Sequence, residues 1–122
     1  YFVARPVFRQ MQRQGSGGRI ILVGARPALN PAEGKDVLAY SLSKSLLFKL
    51  AELLNAEGSS QNIVTSVIVP GVIDTPLNRN STPDADFSAW VTPEAIADTL
   101  AFISSDVASP LRETVLKLYG RS

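Results

Sequence analysis

The sequence predicts an α/β fold built on a parallel sheet, and three observations carry that reading. Two continuous apolar, β-branched runs occur, Arg19-Ile20-Ile21-Leu22-Val23-Gly24 and Ile63-Val64-Thr65-Ser66-Val67-Ile68-Val69, of the kind shown by strands covered on both faces. Between them, Val37 to Ala56 follows a helical period. The runs stop at Gly24-Ala25 and Pro70-Gly71, residues that end strands. Strand, helix, strand is a βαβ unit, which crosses right-handed, makes its strands parallel and gathers ligands at their carboxyl ends.

The remaining elements follow from local signals. Apolar positions 2, 3, 7, 8 and 11 make an approximate helical stripe, which Pro6 limits or kinks and Gly15-Ser16-Gly17-Gly18 ends. Residues 25 to 36, with Pro27, Asn30, Pro31 and Gly34, read as a loop. The 37–56 helix carries Leu42, Leu46, Leu50, Leu53 and Leu54 on one side, widened by Leu47, Phe48 and Ala51. An apolar face of that width asks for two cover layers, the sheet and a partner subunit. A polar loop is expected from Asp74 to Trp90. Thr92-Pro93-Glu94 then opens a helix reaching Ser104, with Thr92 as N-cap, Pro93 as first helical residue and Glu94 as the acid favoured in the first turn. Thr114 to Leu118 reads as a last short strand.

Composition narrows the chemistry. With 45% hydrophobic and 19% charged residues the chain belongs with folded globular domains, not disordered ones. Twelve basic and eleven acidic residues leave a formal charge of +1 without a basic run, so nucleic-acid and membrane surfaces are not expected partners. A small molecule is. No Cys and no His are present, which removes thiol nucleophiles, disulfides, histidine-based triads and ordinary zinc sites. No metal is expected. No apolar stretch approaches a membrane span and no signal peptide is readable, so a cytoplasmic location is the expectation.

The sharpest constellation is Tyr40-Ser41-Leu42-Ser43-Lys44, because residues four apart share a helix face. A free tyrosine ionises near a pH of about 10. A lysine ammonium nearby favours the phenolate, which makes such a tyrosine a usable proton donor. The competing reading is a surface pair. Gly15-x-Gly17-Gly18 is no dinucleotide fingerprint, since it follows a helix, precedes a strand and lacks the spacing.

Gly18 to Ala25, then Tyr40 and Lys44, then Val69-Pro70-Gly71-Val72-Ile73-Asp74-Thr75-Pro76 together resemble the C-terminal half of the short-chain dehydrogenase/reductase family. The resemblance covers nearly the whole chain. It implies the C-terminal half of a three-layer, Rossmann-type, doubly wound parallel sheet, with residues 1–122 forming part of a single domain. The N-terminal cofactor-binding half would then precede Tyr1, where no initiator Met stands, and the chain alone is expected not to turn over. The implied cofactor is NAD or NADP. Tyr40 would be the general acid, and Lys44 would hold the nicotinamide ribose and tune Tyr40. Pro70, Gly71, Val72, Ile73 and Thr75 would hold the nicotinamide, with Ile73 and Thr75 beside its carboxamide. Gly24, Ala25, Asn78 and Trp90 would meet substrate. The resemblance also implies a homodimer or homotetramer, expected to form through the 37–56 helix.

One departure matters. Ala25 stands where most of the family has a serine, so a donor to a developing oxyanion is missing. Ser41 and Ser43 point in other helical directions than Tyr40. The segment Asp74 to Trp90, together with Gly24-Ala25-Arg26, is similar to the quinoid dihydropteridine reductases, a subfamily lacking that serine. Reducing a quinonoid pterin delivers hydride and a proton to a conjugated ring, without a lone alkoxide to stabilise. Phe87 and Trp90 would pack on the flat heterocycle or anchor their loop. The alternatives are a general carbonyl or alcohol oxidoreductase, and a non-catalytic dinucleotide-binding scaffold.

Overall fold

The computed structural model describes residues 1–121. A three-stranded sheet has the order β1 (Gly18–Val23), β2 (Ile63–Pro70), β3 (Val115–Leu118), and both pairings are parallel. Gly18 lies opposite Ile63 and Val23 opposite Ile68, whereas β3 joins only from Val67 onward. β2 is therefore central and its residues Ile63, Val67, Ile68 and Val69 are almost fully buried. Among the described residues, no helix is long and apolar enough to cross a membrane.

Helix α1 (Ala4–Gln14) and helix α3 (Leu38–Gly58) pack on one face of this sheet. Ala4 and Phe8 of α1 join Ile20, Leu54 and Ile63 in one cluster, while Ala51, Val67 and Val69 make a second, with Leu22 packed against both. Burial of Phe8 alone contributes about 2–3 kcal/mol. The alternate residues of β2, Val64 and Ile68, are buried on the opposite face, and Ile103 and Ala108 are buried in the segment joining β2 to β3.

The helical stripe expected at the start differs from the one formed. Phe2 and Val3 are exposed, and the packed residues are Ala4, Phe8 and Met11, at the spacing a straight helix presents to one neighbour. Pro6 falls in the first turn, where its missing amide has no intrahelical partner, so α1 is not kinked there. Gly15 ends it in the left-handed conformation, φ 68°, and donates to the Met11 carbonyl.

Two segments read as loops contain helical turns. Asn30 caps a one-turn helix, α2 (Pro31–Gly34), accepting from the Ala32 amide at 3.1 Å. Thr75 caps α4 (Pro76–Ser81), accepting from the Asn78 amide at 3.3 Å. Both open on a cap residue followed by proline, the same grammar that marks α5 (Pro93–Ser104) behind Thr92.

α3 extends to Gly58, two residues beyond Ala56. It is joined to the central strand β2 by a buried amide: Asn55 Nδ2 donates to the Thr65 carbonyl at 2.8 Å, and the Thr65 amide donates to Asn55 Oδ1 at 2.7 Å. Because β3 begins opposite Val67, Asn55 satisfies backbone groups that lie just before that pairing starts. The wide apolar face of α3 is only half covered. Ala51 and Leu54 are buried, while Leu42, Leu46 and Leu53 remain 67%, 69% and 61% exposed.

Candidate active site

The carboxyl ends of β1 and β2 and the first turn of α3 meet around an open cleft of about 360 Å³, lined by Ala25, Arg26, Pro27, Glu33, Tyr40, Pro70, Gly71 and Val72. Parallel pairing causes this convergence, since both strands finish on the same side of the sheet. Gly24 donates to the Ile68 carbonyl at 2.8 Å and Gly71 to the Leu118 carbonyl at 2.9 Å, so the strand ends are locked side by side.

Tyr40 stands at the start of α3 and is 48% exposed. Lys44, one turn on, has its ammonium 5.9 Å from the Tyr40 ring centre and donates to the Val23 carbonyl at 3.0 Å. The end of β1 thus aims the lysine at the tyrosine. The neighbouring serines serve the scaffold: Ser41 Oγ donates to the Gly34 carbonyl, Ser43 Oγ to that of Tyr40, and Ser45 Oγ to those of Ala28 and Ser41. Ala25 is buried and brings no hydroxyl into the cleft.

The sequence-derived candidates separate into two groups. Ala25, Tyr40, Pro70, Gly71 and Val72 line the cleft directly, and Lys44 and Gly24 sit beside it. Ile73, Thr75, Asn78 and Trp90 belong to the segment that follows β2. Ile73 bridges to Val91 in parallel fashion, with the Asp74 amide donating to the Val91 carbonyl at 2.8 Å. Thr75 caps α4, and Asn78 Nδ2 donates to the Ile73 carbonyl at 2.8 Å. Trp90 packs on Phe87, with ring centres 4.9 Å apart, and the Arg79 guanidinium lies 4.9 Å over the Phe87 ring. These side chains brace their own segment. Gly120, at φ 63°, permits the chain after β3 to lie against it, because a Cβ there would come within 2.5 Å of the Ala89 carbonyl oxygen.

Asp74 and Arg79 form a two-pronged pair, Nε to Oδ1 at 2.6 Å and Nη2 to Oδ2 at 2.7 Å. Hydrogen bonding from Arg79 holds the Asp74 carboxyl below its ordinary range, and the same contact raises the Arg79 guanidinium. The Asp86 carboxyl is also lowered, chiefly by the hydrogen bond from the Ser88 hydroxyl. Among the described residues, no cluster of three or more potential metal ligands occurs.

Three cleft residues, Arg26, Pro27 and Glu33, were not among the site candidates read from the sequence, where Arg26 entered only through its likeness to a subfamily. Arg26 Nε contacts Glu33 Oε1 at 2.8 Å, and its guanidinium lies 4.9 Å over the ring of Tyr119, which follows β3. Arg26 thereby reaches from the end of β1 toward that of β3, past the central strand. The only sequence signal for Glu33 was the Asn30-Pro31 cap that fixes its helical turn.

Comparison with known proteins agrees with this geometry. The short chain dehydrogenase family profile matches residues 1–86. A dihydropteridine reductase of Dictyostelium discoideum is 33% identical over 109 residues, covering 87% of this chain and 46% of that protein. A 2-dehydro-3-deoxy-D-gluconate 5-dehydrogenase of Dickeya dadantii is 28% identical over 118 residues, covering 88% of this chain and 46% of that protein. Among solved structures, acetoin dehydrogenase from Enterobacter cloacae superposes with a TM-score of 0.81 at 25% identity, covering 96% of this chain and 48% of that one. A 4-hydroxyisoleucine dehydrogenase complexed with NADH shares the fold, with a TM-score of 0.82 at 22% identity over 98% of this chain and 52% of that one. The chain spans about half the length, or less, of the curated relatives it matches. With its parallel sheet, its Tyr40-Lys44 turn and the match over residues 1–86, the chain belongs to the short chain dehydrogenase family.

Proposed function

We propose that this chain is the proton-donating, C-terminal part of a Rossmann-type oxidoreductase that uses NADH or NADPH, with quinonoid dihydropterin as the preferred substrate. The observation that carries the reading is Tyr40 in an open cleft beside Lys44, itself tied to the end of β1. The residues present fit the nicotinamide end of a dinucleotide. The Lys44 ammonium, held beside the cleft by the Val23 carbonyl, would bind ribose hydroxyls, and the Pro70-Gly71-Val72 wall would flank a flat ring.

When bound, the reduced nicotinamide supplies a hydride. Tyr40 then donates its phenolic proton to the reduced ring nitrogen, and the ammonium of Lys44 offsets the charge left on the Tyr40 oxygen. Solvent entering the open cleft returns the proton. Ala25 suits this substrate, because charge spreads over the conjugated ring and no single alkoxide needs a serine hydroxyl. Similarity to the Dictyostelium dihydropteridine reductase over 87% of the chain supports the pterin, and similarity to sugar-acid and acetoin dehydrogenases supports carbonyl or alcohol chemistry as the second reading.

The test is NADH and NADPH oxidation by the full-length protein, with quinonoid dihydropterin set beside aldehydes, ketones and quinones. Preferential pterin reduction supports the first reading. Activity confined to carbonyls selects the second, and cofactor binding without any turnover leaves a scaffold.

The exposed leucines of α3 extend the proposal to a homodimer or homotetramer built through this helix. An apolar stripe of Leu42, Leu46 and Leu53 left in water is a surface that association removes. Leu46→Glu should therefore shift the full-length protein to a smaller species in sedimentation. A wild-type monomer at micromolar concentration rules the interface out.

A further inference from the structure

We propose that Glu33 is a specificity-determining residue of the cleft, accepting hydrogen bonds from a substrate edge that carries two adjacent N–H donors. The chemical class is a planar lactam heterocycle with an amino-amidine edge, such as a 2-amino-4-oxopyrimidine ring. The inference rests on the reductase reading of the same cleft and names the group that selects its substrate.

Among the described residues, Glu33 is the one carboxylate lining the cleft that contains Tyr40. Its side chain is 36% exposed, so it borders the open space without dissolving into solvent. Its position is set from two sides: Oε1 is ion-paired with Arg26 Nε at 2.8 Å and accepts from Asn30 Nδ2 at 2.8 Å. Both anchors are themselves held. Asn30 Oδ1 caps α2 through the Ala32 amide, and the Arg26 guanidinium rests 4.9 Å over Tyr119. A carboxylate held this way is organised before a ligand arrives, and a fixed group gives more discrimination per hydrogen bond than a mobile one.

Among the described residues both contacts of the carboxylate use Oε1, and it has lone pairs on two oxygens. A group that only accepts prefers a ligand edge that only donates, and adjacent ring N–H and exocyclic amino groups match the spacing of carboxylate oxygens. A ketone or aldehyde brings no such edge. The Arg26 guanidinium, 2.8 Å from Oε1, fixes the direction in which the carboxylate faces the cleft. Because Ala25 brings no donor hydroxyl, polar selection on this wall falls to the Glu33–Arg26 pair.

The test is a fluorescence titration of the full-length protein with two non-reacting probes, 2-amino-4-oxopteridine and pteridine-2,4-dione. They have nearly the same shape, but the second presents a carbonyl where the first presents its amino group. Wild-type protein should bind the amino compound at least about tenfold more tightly. Glu33→Gln should remove that preference while NADH affinity and the melting curve stay unchanged, an outcome that a bracing ion pair alone does not produce. Equal binding of the two probes by wild type overturns the proposal without recourse to any variant, as does a preference that survives in Glu33→Gln. Absence of pterin turnover with the preference intact removes the reaction proposed above and leaves Glu33 in place. Turnover without the preference removes Glu33 alone.

Discussion

Replacing Tyr40 with Phe in the full-length protein should lower kcat by about 10²–10⁴-fold while leaving NADH affinity nearly unchanged. The substitution deletes a hydroxyl and keeps the ring. Tyr40 is 48% exposed, and no hydrogen bond that positions the strand ends passes through its oxygen, so the cleft should keep its shape. Lys44 remains tied to the Val23 carbonyl and stays available to the ribose. Nearby hydroxyls offer no rescue, because Ser41, Ser43 and Ser45 are engaged with backbone carbonyls and Ala25 has none. Steady-state kinetics with saturating cofactor reads the effect. An unchanged kcat would take Tyr40 out of the mechanism and leave the Tyr40–Lys44 pair as a surface contact.

The second large effect concerns stability. Asn55→Ala should destabilise the fold by about 2–4 kcal/mol, read as a lower urea midpoint at unchanged slope. Asn55 is buried, and its side chain pairs with both the amide and the carbonyl of Thr65 at 2.7 and 2.8 Å. Alanine leaves a donor and an acceptor without partners in the central strand, next to a Thr65 hydroxyl that already has none among the described residues. The hydrophobic loss is small by comparison, so the cost is polar. A cavity of about 220 Å³ adjoins Asn55 and Thr65. If water enters it and takes over both bonds, the loss falls below about 1 kcal/mol, and that outcome would show the amide to be replaceable.

Several parts of this protein were legible because their signal is local. The runs at 19–24 and 63–69 became β1 and β2 to within one residue at each end; β2 is covered on both faces, as an apolar run throughout implies, whereas β1 lies at the edge of this sheet with only Ile20 buried. Thr92-Pro93-Glu94 opened α5 as read, with Thr92 Oγ1 accepting from the Ala95 amide at 3.2 Å. The same cap-and-proline signal at Asn30-Pro31 and Thr75-Pro76 was passed over because the helices behind it are only 4 and 6 residues long. Hydrophobic period has little to report over so few positions, and the cap is then the better guide.

The sequence by itself determined the parallel βαβ unit and the Tyr40-Lys44 pair, because periodicity and spacing along one helix are properties of near neighbours; the family was legible in it as a resemblance carried by those motifs. Only the tertiary structure decided which leucines of α3 are covered, that Trp90 and Asn78 brace their own segment, and that Glu33 and Asn55 matter at all. Glu33 gains its meaning from Arg26 and from an open cleft that Pro70 to Val72 also line, and Asn55 gains its meaning from a strand pairing that starts two residues late. Such contacts join residues distant along the chain, and they depend on how the parallel strands set the register, which no local pattern of residues encodes.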